Sequence, residues 1–247
     1  MQQRVRMAVG MVVALTVGSL AALSGAPGGA TTVAAAAPTV GFAGRTWTMK
    51  TSSGAVGPGP NVFAAANVTV DLNGKLHLKI AKRSNRWTSA EVVLNASLGY
   101  GTYAWTLGSN VSNLDAQAVL GLFTWNDDPA YNHREIDFEA SRWGWKNDVT
   151  NAQWVVQPYD TAGNLTRFTI GSTVPTVVRF TWSPTSIVFQ TVVGGTVVNE
   201  RTYTGADIPL PGGENARMNL WLYQGKAPLN KATVEVVLNT FSFTPPA

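Results

Sequence analysis

From Val62 to Phe243 the chain is a succession of short β-forming runs separated by turn residues. No stretch carries the 3.6-residue apolar period and the caps of a helix. Val68–Leu72 and Leu76–Ile80 flank Asn73-Gly74, a dipeptide that closes hairpins. About a dozen such runs follow one another to the end, with no internal repeat and no linker past residue 60. Some alternate, as in Lys75-Leu76-His77-Leu78-Lys79-Ile80. Others, such as Val119-Leu120-Gly121-Leu122-Phe123, are apolar on both faces. Alternating strands suit a half-exposed sheet and doubly apolar ones the middle of stacked sheets. The pattern predicts an all-β sandwich over residues 62–247. Residues 38–61, rich in Gly and Pro, read as an extended lead-in with one short strand around Trp47.

The first 37 residues read as a leader. Arg4 and Arg6 precede an uncharged stretch from Met7 to Leu23, and a small-residue zone from Thr31 to Ala37 ends at Pro38. Positive start, apolar middle and Ala-x-Ala exit describe a secretory signal peptide. The rival reading is a retained anchor, for which about 17 residues interrupted by Gly10 and Gly18 is short. The expectation is therefore a secreted, extracellular protein with no stable membrane association after signal removal. Without Arg4 and Arg6, the 18 basic residues fall to 16 against 14 acidic ones. So small a net charge, with no basic run beyond Lys82, Arg83 and Arg86, speaks against nucleic acid as a partner. The chain has no Cys, which removes disulfides, thiolate metal sites and cysteine nucleophiles. Two His, His77 and His133, are too few for a histidine-rich zinc site.

Carboxylates are scarce, yet three fall in five positions: Glu135-Ile136-Asp137-Phe138-Glu139. On a strand the three acids share one face, and Ile136 and Phe138 share the core face. Crowded carboxylates raise at least one pKa, so an ionised and a protonated carboxyl can coexist at one pH. Glycosidases use such a pair. On a flat strand residues i and i+4 lie about 13 Å apart at Cα. A retaining pair needs carboxyls about 5–5.5 Å apart, which requires side chains leaning together on a curved sheet. From pattern alone, a solvated edge or a calcium site stays open as an alternative.

Flanking segments carry a resemblance. Ala90-Glu91-Val92 with Ser97-Leu98-Gly99-Tyr100-Gly101-Thr102-Tyr103, then Gly121-Leu122-Phe123-Thr124-Trp125, then the acidic pentapeptide, Phe180-Thr181-Trp182-Ser183-Pro184 and Met218-Asn219-Leu220-Trp221 occur in order. Together they resemble glycoside hydrolase family 16 over roughly residues 62–244. The single residue between Asp137 and Glu139 resembles the branch without a β-bulge, which includes lichenases and xyloglucan-active enzymes. The resemblance implies a concanavalin A-like β-jelly-roll of two antiparallel sheets with a concave substrate-binding face. It implies endo-acting, retaining cleavage of β-glucan, with Glu135 as nucleophile, Glu139 as acid/base and Asp137 orienting and tuning Glu135.

On the same resemblance, with strand parity, the substrate-binding set is Glu91, Phe123, Trp125, His133, Gln153, Gln157, Asn219 and Trp221. Trp154, Leu220 and Leu222 fall to the core. Flat aromatic faces suit the apolar faces of glucose rings, although core packing also explains Phe123, Trp125 and Trp221. The sequence departs from lichenases at sugar-contacting positions. Val93 replaces an Arg, Val155 an Asn, and His133 a Trp. Asn239 stands where the family often has an Asp that binds a structural Ca²⁺, so a calcium site near Asn239 is an open expectation and no cofactor is required.

These readings point to a monomeric, secreted, retaining endo-glycosidase that takes a neutral polysaccharide. Two alternatives remain at this point. One is a transglycosylase on the same scaffold, and the other is a non-catalytic, lectin-like carbohydrate-binding sandwich.

Overall fold

A computed structural model describes residues 36–246. The leader expected over residues 1–37 lies almost entirely outside the described residues. No described helix is long and apolar enough to cross a membrane.

Two sheets make the fold. The first runs edge to edge as β1 (Thr39–Phe42), β2 (Arg45–Met49), β6 (Ala90–Ser97), β15 (Asn215–Leu222), β8 (Ala118–Trp125), β9 (Ile136–Ala140), β10 (Ala152–Val156) and β11 (Leu165–Phe168). The second runs β14 (Thr196–Tyr203), β13 (Ile187–Val193), β12 (Thr176–Trp182), β7 (Gly101–Leu107), β16 (Val234–Thr244), β4 (Leu76–Arg83) and β3 (Val68–Val70), with β5 (Arg86–Thr88) paired to β4. Every pairing of named strands is antiparallel. Sequence neighbours often sit far apart in the sheets: β15 lies between β6 and β8, and β16 between β4 and β7. The result is an all-β jelly-roll sandwich.

The alternation in the sequence sets the core. Leu76, Leu78 and Ile80 of β4 point inward, as do Tyr103, Trp105 and Leu107 of β7. They meet Leu120 and Leu122 of β8, Ile136 and Phe138 of β9, and Met218 and Leu220 of β15. Trp154 joins them, nearly parallel to Phe189 at 5.7 Å and packed on Phe168 at 4.1 Å. Each large side chain so buried contributes about 2 kcal/mol.

Two local expectations change. The lead-in belongs to the sandwich: β1 and β2 form its edge hairpin, and Trp47 is fully buried against Phe42 and Phe241. Its Nε1 donates to Phe42 O at 3.0 Å, so the hairpin is stapled by the residue that also anchors it. The domain therefore starts at about Thr39 rather than at residue 62. The hairpin at Asn73-Gly74 is also wider than a two-residue turn. Val70 pairs with Leu76, leaving five residues between the strands. Asp71 closes this loop by accepting the backbone N–H groups of Asn73 and Lys75, each at 2.9 Å.

Candidate active site

The outer face of the first sheet is where the acids lie. Outward side chains on an open sheet are normally wet, yet Glu91, Asp137, Gln153 and Asn219 are all buried here. The face is the floor of a cleft. Segments before β3 and after β8, β9 and β15 supply its walls, through Lys50, Phe63, Asp127, Trp143 and Tyr223.

Glu135 just precedes β9 in extended backbone (φ −88°, ψ 122°), so the two-residue alternation carries from it through Asp137 to Glu139. Register fixes their neighbours. Asp137 lies between Phe123 of β8 and Val155 of β10, and Glu139 between Gly121 and Gln153. At Gly121, beside Glu139, a Cβ would stand 2.5 Å from Asn219 Oδ1 and would push that side chain aside. That oxygen instead accepts the Gly121 N–H at 3.1 Å. The Gln153 amide donates to Glu139 Oε2 at 2.7 Å, and the Gln157 amide lies 3.4 Å from Asp137 Oδ2.

The segment leading into Glu135 is strained. Tyr131, Asn132, His133 and Arg134 are four successive residues with φ of 54°, 50°, 64° and 55°. Left-handed backbone costs about 1–2 kcal/mol per non-glycine residue, so it persists only where the surroundings overdetermine it. Arg134 provides this by donating to Leu210 O (3.0 Å) and Ala130 O (3.3 Å). His133 stacks on Trp125 with centroids 4.0 Å apart and planes 6° from parallel. One face of Trp125 is thus taken by His133.

The three carboxyls hold protons unusually tightly. Burial drives Asp137 well above its usual range, and the charges of Glu135 and Glu139 push it further. Burial and the Glu139 charge raise Glu135 to about 8, opposed by a hydrogen bond from Asp137 and by Arg217. Burial raises Glu139 to about 7, opposed by Gln153 and Arg167. Glu135 and Asp137 share a hydrogen bond, and Asp137 is the less exposed of the two. The coupled pair therefore holds its protons into the neutral range, with Asp137 as the donor in the hydrogen bond to Glu135.

This has a cost in stability. The unfolded carboxyls titrate near 4.5 for Glu and 3.8 for Asp. Below those values both states are protonated and the contribution is complete. As pH rises the unfolded chain loses its protons first, so stability falls until the folded groups ionise near 7–8. The coupled groups share this loss. Melting temperature should decline from pH 5 to pH 8, and Glu135→Gln should flatten the decline. A wild-type profile that is level or rising over this range would contradict the protonated cluster.

Glu91 and its neighbours form one flank. Lys50 Nζ lies 2.9 Å from Glu91 Oε2, and an Arg217 nitrogen lies 3.6 Å from Oε1. Arg217 also reaches Asp127 at 3.4 Å and lies 5.9 Å from the Trp125 ring. It pairs in register with both Val93 and Phe123. A guanidinium thus stands opposite Val93 on the adjacent strand. Arg217 was not among the sequence candidates, although it sits two residues before Asn219 and shares its face by parity. Lys50 and Arg167 were missed too, and nothing local marks them.

Next to this flank, Trp221 is 8% exposed, and Trp143 stands edge-on to it at 6.0 Å. With Phe63 and Val119 it forms a small cluster on the cleft face, separate from the core. Phe123 lines the floor at 7% exposure. For calcium, Asn239 Oδ1 is buried without a hydrogen-bond partner. It offers one neutral ligand of the six to eight oxygens Ca²⁺ takes, and no cluster of three acidic or histidine side chains placed to hold a metal ion occurs among the described residues.

No protein-family profile and no curated protein matches the sequence. Solved structures do resemble it. A β-glucanase of Bacillus licheniformis superposes with a TM-score of 0.62 at 18% identity, covering 81% of this chain and 92% of the other. A Bacteroides ovatus family 16 protein of a mixed-linkage glucan locus, solved with a product oligosaccharide, gives 0.60 at 14% identity, covering 80% and 94%. An immunostimulatory antigen of Mycobacterium tuberculosis, described as a pseudo β-1,3-glucanase, gives 0.58 at 20% identity, covering 81% and 91%. At these identities the likeness establishes the fold, so the chain has the jelly-roll sandwich on which family 16 β-glucanases are built.

Proposed function

We propose that this protein is a secreted, monomeric, retaining endo-glycosidase that hydrolyses β-glucosidic bonds in a neutral glucan without a cofactor. The observation that carries the reading is the cluster itself: three acids on one floor of a cleft, Asp137 buried and Glu135 and Glu139 half-buried, all with raised proton affinity. An ionised Glu135 attacks the anomeric carbon while Glu139 gives its proton to the departing glycosidic oxygen. This leaves a glycosyl ester on Glu135 and a carboxylate on Glu139. Glu139 then takes a proton from water, whose oxygen attacks the same carbon and expels Glu135 as carboxylate. Two inversions give net retention. Asp137 supports Glu135 by donating to it and spreading its charge.

A transglycosylase shares the first half of this sequence and differs only in the acceptor, a sugar hydroxyl in place of water. A cleft that binds sugar without cleaving it is the other alternative, and one structural neighbour is named a pseudo β-1,3-glucanase.

The test is a panel of lichenan, laminarin, xyloglucan and agarose. Product size is followed by chromatography and the new anomeric centre by proton NMR. Short oligosaccharides with initially β reducing ends are expected from at least one glucan. Initial α ends would overturn retention. Binding without any release would favour the lectin-like reading, and lengthened products with added acceptor would favour transglycosylation.

A further inference from the structure

Glu139, Gln153 and Arg167 stand abreast on three adjacent strands. Gln153 pairs with Glu139 across β9–β10 and with Arg167 across β10–β11. Their side chains are linked in the same order. Arg167 Nη1 donates to Gln153 Oε1 at 3.3 Å, and Gln153 Nε2 donates to Glu139 Oε2 at 2.7 Å. The guanidinium is held from behind by Asp148 Oδ2 at 2.9 Å, by Ser141 O at 3.2 Å, and by Thr150 through its carbonyl at 3.0 Å and its hydroxyl at 3.1 Å.

An amide can present either its oxygen or its NH₂ to a neighbour, whereas a guanidinium can only donate. Arg167 therefore settles which end of Gln153 faces it. The oxygen must point at Arg167, and the NH₂ must point at Glu139. Gln153 is 2% exposed, so water has little access to reverse the choice. We propose that Arg167 is a positioning residue for the acid/base carboxyl: it locks the Gln153 amide as a donor to Glu139 and so favours the ionised form that the second half of the reaction needs.

The other charges around Glu139 do not replace this device. On its own strand it has only the acids Glu135 and Asp137. On β8 it faces Gly121, which has no side chain. On β11 Arg167 is the cation, and the segment after β9 adds Asp148 and Arg142 behind it. Arg217 and Glu91 act on Glu135 instead. The direction of the Glu139 shift agrees, since both Gln153 and Arg167 oppose the rise caused by burial.

The kinetic readout rests on the glycosidase reading, but the relay itself can be measured without turnover. The side-chain carboxyl of Glu139 is titrated by carbon-13 NMR in glutamate-labelled protein, assigned with Glu139→Gln. Arg167→Gln should raise the Glu139 titration by about one pH unit, because it removes a cation and frees the amide to turn. The alkaline limb of kcat/KM should move with it, since the free enzyme needs Glu139 protonated, while the acid limb stays. Arg167→Lys keeps a charge but loses the fork, so it should shift less in the same direction. In a Gln153→Leu background, Arg167→Gln should add only the smaller part that comes from direct loss of the cation. An unchanged titration in folded Arg167→Gln would overturn the proposal, as would a full shift in the absence of Gln153. Where Arg167→Gln does not fold, an unshifted Arg167→Lys is the contrary result. Wild-type protein that cleaves no glucan would sink the glycosidase reading, while the Glu139 titration would still decide the relay.

Discussion

Glu135→Gln should lose about 10⁴–10⁶-fold in kcat while keeping its affinity for polysaccharide. The amide is nearly isosteric, so the cleft floor keeps its shape, but it cannot form the glycosyl ester. On the proposed reading, binding rests on other groups, including Trp125, Phe123 and Asn219, and should change little. The substitution also removes one of three crowded acids, whose burial and mutual repulsion raise Glu135 and Asp137. The variant should therefore melt a few degrees higher at pH 8 than the wild type, a stability–function trade at the site. Kinetics, isothermal titration with an oligosaccharide and a melting curve on one preparation check all three statements. Turnover at the wild-type rate would remove Glu135 from the mechanism.

Glu139→Ala should lower turnover of natural glucan by about 10²–10⁴-fold, the range for a positioned general acid. The size of the loss should depend on the leaving group. An aryl glycoside with an acidic phenol departs without proton help, so its first step should be nearly intact and the glycosyl ester should accumulate. Mass spectrometry of the quenched protein would show that ester on Glu135. Azide, which attacks without a base, should restore turnover and yield a β-glycosyl azide. An α-azide, or equal loss for good and poor leaving groups, would contradict the assignment of Glu139. Gln153 should matter less than Glu139 itself, since it acts on the pKa rather than on the bond.

Strand alternation makes the acidic face readable from the order of residues alone. Ile136 and Phe138 are fully buried in the core, and Glu135, Asp137 and Glu139 share the cleft side. The same rule places Trp154 in the core, and applied two residues before Asn219 it also reaches Arg217. Elsewhere local signals mislead. The Gly- and Pro-rich stretch before Val62 reads as irregular, because composition registers the turns and not the pairing of β1 with β2. Trp47 is the one clue, an aromatic too costly to leave in water. The Asn73-Gly74 pair suggests a tight turn, but Asp71 offers side-chain acceptance that widens the loop.

By itself, then, the sequence determined the all-β class, the alternation of each strand, and three acids pointing one way. These follow from the two-residue period of extended backbone, a property each strand carries alone. The tertiary structure decided what the acids meet. Register between β9, β10 and β11 sets Glu139, Gln153 and Arg167 in a row, though 14 residues separate each from the next in the chain. Pairing of β6 with β15 brings Arg217 beside Val93 and near Glu91. The proton affinity of the cluster also arises there. The mutual repulsion is local to the pentapeptide, but burial and the opposing groups Arg217, Arg167 and Gln153 are brought in by long-range pairing, and no window of sequence contains them.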